Sequence, residues 1–360
     1  MSENIVSTAL SFGVTFLVLL LLKPLAMRIG LVDCPGGRKC HDGAVPLIGG
    51  IAMFCGFLFA VLTLDTALTP LRPLFAGAAL LVLVGVLDDF HELSSRARFA
   101  AQVGAALIMV YWGEVRLHDL GALVSSDIMD LGVLSVPFTV FATVGVINAL
   151  NMADGLDGLA GNLAVIALAF MAALAAAVGA TSDVWVLLVL VCAVLAFLAL
   201  NLRLPGRRQA DIFMGDAGSM FLGFAIAWFC VSLSQGEGRA MTPITALWLF
   251  ALPLADTVSV MLRRLLRGRS PFAADREHFH HILMLAGYNV NQAVLIMTTI
   301  ALIVAVVGVG GLQLGVPERV MFYVFLGLFA VYFWGMMHAW RVMKAIRTRG
   351  PVPSAASGPF

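Results

Sequence analysis

The chain has 360 residues, 61% of them hydrophobic and only 12% charged, with 22 basic and 21 acidic side chains and a formal net charge of +1. Ordinary soluble domains are roughly 45–50% apolar and about 25% charged, so a soluble enzyme on one anchor, a disordered chain and a disulfide scaffold are excluded. Near-neutral charge also leaves no electrostatic footprint for a nucleic acid, and none is expected as a partner.

The apolar content is enough for roughly ten or eleven helices of about 20 residues, which predicts an all-α polytopic integral membrane protein in contact with membrane lipid. The first run, 5–22, has no basic residue before it and no small-residue cleavage pattern after it, so it reads as a retained span rather than a signal peptide. Further spans are predicted near 46–64, 69–87, 99–113, 133–149, 158–178, 184–201, 213–234, 241–262, 292–314 and 318–340. Together they form one multi-span domain, 1–345, followed by a Pro/Ser/Ala/Gly-rich tail, 346–360, expected to be disordered.

Eleven spans place the termini on opposite sides. Of the 22 basic residues, all but Arg72, Arg116, Arg239 and Arg319 fall in one set of loops and the C-terminal tail. The positive-inside rule makes that set cytoplasmic, with the N-terminus outside and the C-terminus inside. On the other side, the alternation Val115-Arg116-Leu117-His118-Asp119-Leu120 predicts a small periplasmic hairpin within 114–132. The five cysteines (Cys34, Cys40, Cys55, Cys192, Cys230) form no CxxC pair and suggest no disulfide framework. Cys34 and Cys40 with His41 resemble half of a zinc site, but no second half is evident.

Four polar clusters lie at the cytoplasmic ends of different spans. In Asp88-Asp89-Phe90-His91-Glu92, two adjacent carboxylates close an apolar run. A helix C-terminus disfavours anions, and neighbouring carboxylates repel unless a cation is near; a divalent metal with a phosphate would answer both. Residues 148–159, Asn-Ala-Leu-Asn-Met-Ala-Asp-Gly-Leu-Asp-Gly-Leu, contain two Asn, two Asp and two Gly between spans, where polar side chains are costly. A turn accounts for one Asp and one Gly, not for all six. Phe213-Met-Gly-Asp216-Ala-Gly-Ser219 opens a span, where glycines allow close approach and free N–H groups suit an anion. The last cluster runs from Arg263 to His278-Phe-His280-His281; positive-inside anchoring covers most of its arginines but not its histidines. Oxygen ligands for Mg²⁺, cations for phosphates and glycine-rich helix starts on one face are the equipment of phosphoryl transfer.

Asp88-Asp89, Asn148-x-x-Asn151-x-x-Asp154-Gly-x-Asp157-Gly, Phe213-Met-Gly-Asp216-x-Gly-Ser and His278-x-His280-His281 occur in the order seen in the polyprenyl-phosphate N-acetylhexosamine-1-phosphate transferases. Arg38-Lys39-x-His41, Pro46-Leu-x-Gly-Gly50 and Ser270-Pro-Phe-x-x-Asp275-Arg-x-His278 most resemble the branch that uses undecaprenyl phosphate and GlcNAc-1-phosphate. The likeness spans about residues 5–340. It implies transfer of HexNAc-1-phosphate from a UDP-HexNAc to undecaprenyl phosphate, with Mg²⁺ (Mn²⁺ as a substitute) and release of UMP, in the bacterial cytoplasmic membrane. It also implies a homodimer. By the same resemblance Asp88 and Asp89 are the catalytic pair, and Asp216, Asn151 and Asp89 belong to the metal site. Asp154, Asp157, Phe213 and Asn148 belong to the nucleotide site. Lys39, His41, His278, His280 and His281 contact phosphate or sugar. Glu92 departs from the Asp found in many relatives. The rival readings are a transporter of a phosphorylated sugar or nucleotide, a CDP-alcohol phosphotransferase, whose motif is absent, and a scaffolding protein. A transporter would keep its ionisable groups near mid-membrane, on broken helices, whereas the middles of the predicted spans hold almost no charges, the carboxylates cluster at the inner ends, and no internal repeat is evident.

Overall fold

The computed structural model describes residues 2–33, 43–268, 270 and 278–338. Of these described residues, 74% are helical. In order it forms α1 (Ser2–Ile29), β1 (Val32–Asp33), β2 (Val45–Pro46), α2 (Gly49–Val61), α3 (Arg72–His91), α4 (Ser95–Leu107), α5 (Ser135–Ala153), α6 (Leu159–Ala177) and α7 (Thr181–Asn201). Then follow α8 (Gly215–Ser232), α9 (Pro243–Leu249), α10 (Ala251–Leu266), α11 (Phe279–Leu285), α12 (Val290–Gln313) and α13 (Glu318–Met337).

Every one of the eleven expected segments contains helix, but they are not equivalent. Among the described residues eight helices are long and apolar enough to cross a membrane, and the pair α9–α10 makes a ninth if its two halves are one span. That pair bends by 83°. Its cause is in the sequence: Pro253 sits in the first turn of α10, where its ring and missing N–H cannot continue a helix from Leu249. Helix α2 has only 13 residues. Helix α4 is equally short, carries Arg96, Arg98 and Gln102 and runs on into a π turn, Ile108–Trp112, so both length and polarity set it apart from the spanning helices.

Helix α8 is the hub. Nearly all of its side chains are buried, against α2, α3, α5 and α6. Glycines make these crossings close. A Cβ on Gly85 of α3 would lie 2.3 Å from the Ala217 backbone, and one on Gly50 of α2 would lie 2.2 Å from the backbone N of Gly218. Small residues at such crossings let backbones approach where no hydrophobic force drives helices together. Helices α1 and α13, by contrast, leave much of their apolar surface exposed, as expected for lipid-facing elements.

At one end of the bundle, β1 and β2 pair antiparallel, and Phe213 accepts and donates across to Gly49 (3.0 Å) and Pro46 (2.8 Å). This strap ties the start of α2 to the start of α8. At the other end, 114–132 forms the expected hairpin in reduced form, as one antiparallel bridge between Asp119 and Asp130. It is held by Leu120 N–H to Met129 O (3.0 Å) and Leu131 N–H to His118 O (2.8 Å).

Candidate active site

Helix α3 stops at His91, with Glu92 in the left-handed region at φ 48°. That conformation suits Asn or Asp better than Glu. The Asp88 carboxylate, buried, stabilises the stop by accepting Leu93 N–H at 2.6 Å on Oδ1. Its Oδ2 accepts Arg98 Nη1 from α4 at 2.9 Å, and the same Nη1 reaches Asp216 Oδ2 at 3.4 Å. One guanidinium thus joins two carboxylates from α3 and α8. Asp89, the next residue, points to the start of α8 and accepts Asp216 N–H (2.9 Å) and Ala217 N–H (3.5 Å). The free N–H groups expected to await a substrate anion there are met by the chain's own carboxylate, which gains from the positive end of the helix. Gly215 is required in this joint: its φ is 71°, and a Cβ would lie 2.5 Å from Asp89 Oδ2.

From α5, the Asn151 amide donates to Asp216 Oδ1 and to Ser219 Oγ (2.8 Å). Asn148, one turn earlier, is turned aside and donates to Gln102 Oε1 (2.7 Å) and Val144 O (2.8 Å). In the turn between α5 and α6, Asp157 accepts Arg203 Nε at 2.6 Å and Ala210 N–H at 3.0 Å, pinning the loop after α7. Gly158, at φ 85°, donates its N–H to buried Asn201 at 2.7 Å. Asp154 is exposed at this turn. Desolvation by the surrounding protein, then the charges of Asp216 and Asp157, pushes its carboxyl up to about 7.

The histidine cluster reaches this turn from the far side. His278 and His280 stack with ring centroids 5.7 Å apart and planes 6° apart, and His280 meets His281 at 4.2 Å. The His280 ring lies on Gly155, where a Cβ would fall 2.3 Å from Nε2. Burial, then the charges of His281 and His278, lowers His280 to about 3, so the ring is held neutral at pH 7. His278 faces away, with Nδ1 2.8 Å from Asp256 Oδ2.

Beside Arg98 opens a cavity of about 1070 Å³ between α4, α5, α8 and the bent pair α9–α10. Arg96, Arg98, Asn148 and Asn151 line one end; Phe138, Val144, Ala227, Leu254, Leu123 and Phe322 continue it as an apolar passage. On α5 the lining runs from Phe138 to Met152, roughly 21 Å at 1.5 Å per residue.

The structure therefore brings Asp88, Asp89, Asn151 and Asp216 into direct contact, with Asp154 nearby and Phe213 holding the adjoining strap. Asp157 and Asn148 are engaged in local structure, and the His278–His281 group touches the site through Gly155. Lys39, His41, Cys34, Cys40 and 271–277 lie outside the described residues. Two residues escaped the sequence reading. Arg98 was counted only as a positive-inside charge, and Asp256 was overlooked, although a lone carboxylate within an apolar run is itself a functional signal.

Among the described residues no three His, Cys, Asp or Glu side chains form a ready-made chelate. Magnesium does not need one, since it is typically held by one or two carboxylates plus substrate phosphates. Asp88 and Asp216 supply hard oxygens around a spot where a positive charge, Arg98, is already held, so the donor set fits that ion.

Residues 71–234 match the glycosyl transferase family 4. Over 342 residues, 95% of this chain and 96% of the relative, it is 38% identical to the undecaprenyl-phosphate alpha-N-acetylglucosaminyl 1-phosphate transferase of Haemophilus influenzae. The enzyme of the same description from Pasteurella multocida is 39% identical over 344 residues, 95% of this chain and 96% of the relative. That from Escherichia coli strain K12 is 38% identical over 337 residues, 93% of this chain and 92% of the relative. With likeness of this depth along nearly its whole length, the chain belongs to the family of undecaprenyl-phosphate N-acetylglucosaminyl 1-phosphate transferases.

Proposed function

We propose that this protein transfers GlcNAc-1-phosphate from UDP-GlcNAc to undecaprenyl phosphate, giving undecaprenyl-diphosphate-GlcNAc and UMP, as the first membrane step of a cell-surface glycan pathway. The observation that carries the reading is Arg98: one guanidinium bridges two carboxylates at the mouth of a long apolar passage. A polyprenyl phosphate has the matching form, an anionic head on an apolar tail. Relatives at 38–39% identity bear the name of that reaction. The bias of basic residues supports a reading in which the site faces the cytoplasm, with eleven helical segments, the N-terminus outside and the C-terminus inside.

In this reading Arg98 and Arg96 receive the lipid phosphate, and Asp88 sets the direction of Arg98. Asp89 fixes the start of α8 so that Asp216 faces α5. Asp216, Asp88 and Asn151 would hold Mg²⁺, which when bound neutralises the diphosphate of the donor. The lipid phosphate is a monoester with a second pKa of roughly 6, already mostly a dianion at neutral pH. Its oxygen attacks the β-phosphorus in line and UMP leaves with the electron pair of the broken P–O bond; no strong base is required. Asp154, poised near 7 beside the Gly155–His280 contact, faces the donor.

A transporter for a phosphorylated sugar would need polar groups along its passage, whereas the cavity is polar at one end and apolar over the rest. The test is exchange by purified protein with undecaprenyl phosphate, Mg²⁺ and a panel of UDP-sugars, following UMP. Release with UDP-GlcNAc that requires both lipid and metal is expected. Release without lipid, or a phosphorylated protein trapped with UDP-sugar alone, overturns the direct transfer.

A further inference from the structure

Helix α10 carries a single carboxylate, Asp256, and it is buried at 5% exposure. Such a group is costly inside a membrane protein unless its oxygens are fully hydrogen-bonded, and an apolar residue would avoid that cost. Here the bonding is complete. Oδ2 faces His278 Nδ1 at 2.8 Å, while Oδ1 accepts Phe279 N–H at 3.0 Å and the Tyr332 hydroxyl at 2.9 Å. The donors come from the start of α11 and from α13, so three separate elements meet on one side chain. Nothing in the transfer step described above uses it.

We propose that Asp256 is the positioning residue of the histidine motif, holding His278 with its proton on Nδ1 and clamping the start of α11 so that His280 is seated on the Asp154–Asp157 turn. A carboxylate can only accept, so the nitrogen facing it carries the hydrogen and the ring's other nitrogen is defined by default. Orientation then passes through ring contacts: His278 lies parallel to His280, and His280 packs on Gly155. The kinetic consequence rests on the transferase reading of the site; the tautomer does not.

The test uses the full chain, labelled with ¹⁵N-histidine, in detergent micelles. The His278 signals are assigned by their loss in His278→Gln. Wild-type protein is expected to show His278 protonated on Nδ1. Asp256→Asn can keep the Phe279 and Tyr332 bonds on its oxygen, but its amide then donates to Nδ1, and the proton is expected on Nε2. In the UMP-release assay, Asp256→Asn should lose at least tenfold in kcat with KM for undecaprenyl phosphate unchanged within twofold. Asp256→Glu should restore the Nδ1 tautomer and part of kcat, and Tyr332→Phe should keep the tautomer and lose less than threefold. A wild-type His278 protonated only on Nε2 overturns the proposal. So does an unchanged tautomer or an undiminished kcat in Asp256→Asn, or a loss that follows melting temperature and is not recovered by Glu. Wild-type protein that releases no UMP from any UDP-sugar would instead overturn the transferase reading, while the tautomer arms still decide the role of Asp256.

Discussion

Two arginines in this protein each bridge a pair of carboxylates drawn from distant parts of the chain. Arg98 lies between Asp88 and Asp216, and Arg239 lies between Asp119 (3.7 Å) and Glu318 (3.3 Å) at the opposite end of the bundle. At the Arg239 end every neighbour is committed. Asp119 also accepts Gly121 N–H at 2.8 Å, Glu318 accepts Ala122 N–H at 3.2 Å, and Gln235 accepts from His118 and Asp119. The network closes on itself and fastens the hairpin to α13. At the Arg98 end two further carboxylates, Asp89 and Asp154, crowd the same neighbourhood, and the guanidinium borders an apolar cavity. The pairing of one arginine with two carboxylates is a fastening in one place and an unfinished charge arrangement in the other. What separates them is the surplus of negative charge and the empty volume alongside.

The sharpest way to break this contrast is Asp216→Asn, which should lower UMP release by at least about 10³-fold with an unchanged melting temperature, because oxygen charge at the transferring phosphate supplies most of such catalysis. Near-normal turnover would remove Asp216 from the site. Arg98→Ala should raise KM for undecaprenyl phosphate by on the order of 10–100-fold, with Arg98→Lys in between, since lysine keeps the charge but not the fork. Equal effects on both substrates would argue against a lipid-phosphate contact. Gly85→Ala should cost about 1–3 kcal/mol of stability, read as a lower melting temperature, because its Cβ meets the Ala217 backbone and must push α3 from α8. Arg239→Ala should change stability by no more than about 1 kcal/mol, as for partly exposed pairs, and leave kcat unaltered. A large loss of activity there would erase the difference between the two ends.

Acidity gives a further handle. The folded-state value of His280, near 3, lies below its ordinary one near 6.5, so the native protein resists its protonation. The stability it contributes is complete above about 6.5 and is lost as pH falls from there toward 3. Melting temperatures from pH 8 to 4 should therefore fall more steeply for wild type than for His280→Gln; parallel curves would show that the ring is not held neutral.

Much of this arrangement was legible in the residues. Eleven apolar runs became helical segments, the 114–132 alternation became a hairpin, and three clusters far apart in the chain met around Asp216. What the sequence could not convey was direction. Asn148 and Asn151 sit one turn apart in one motif, yet one binds Gln102 of α4 and the other Asp216 of α8. Asp89 reads as a catalytic carboxylate and is found on the backbone of α8. The bend at Phe250 was visible in Pro253 but hidden inside a run whose total length suited one straight span. Helix α11, a single short element, had no apolar periodicity long enough to declare itself.

The 13 residues of α2 have one more consequence. They rise roughly 20 Å, against a hydrocarbon layer about 30 Å thick. Its far end leads to Thr63, whose carbonyl accepts Ser7 Oγ near the N-terminal end of α1, and its glycine start abuts the head of α8. Asp88, Asp89 and Asn151 stand near the ends of the longer α3 and α5, so the start of this short helix, packed through Gly50 on the Gly218 backbone, braces the head of α8 where Asp216 meets them.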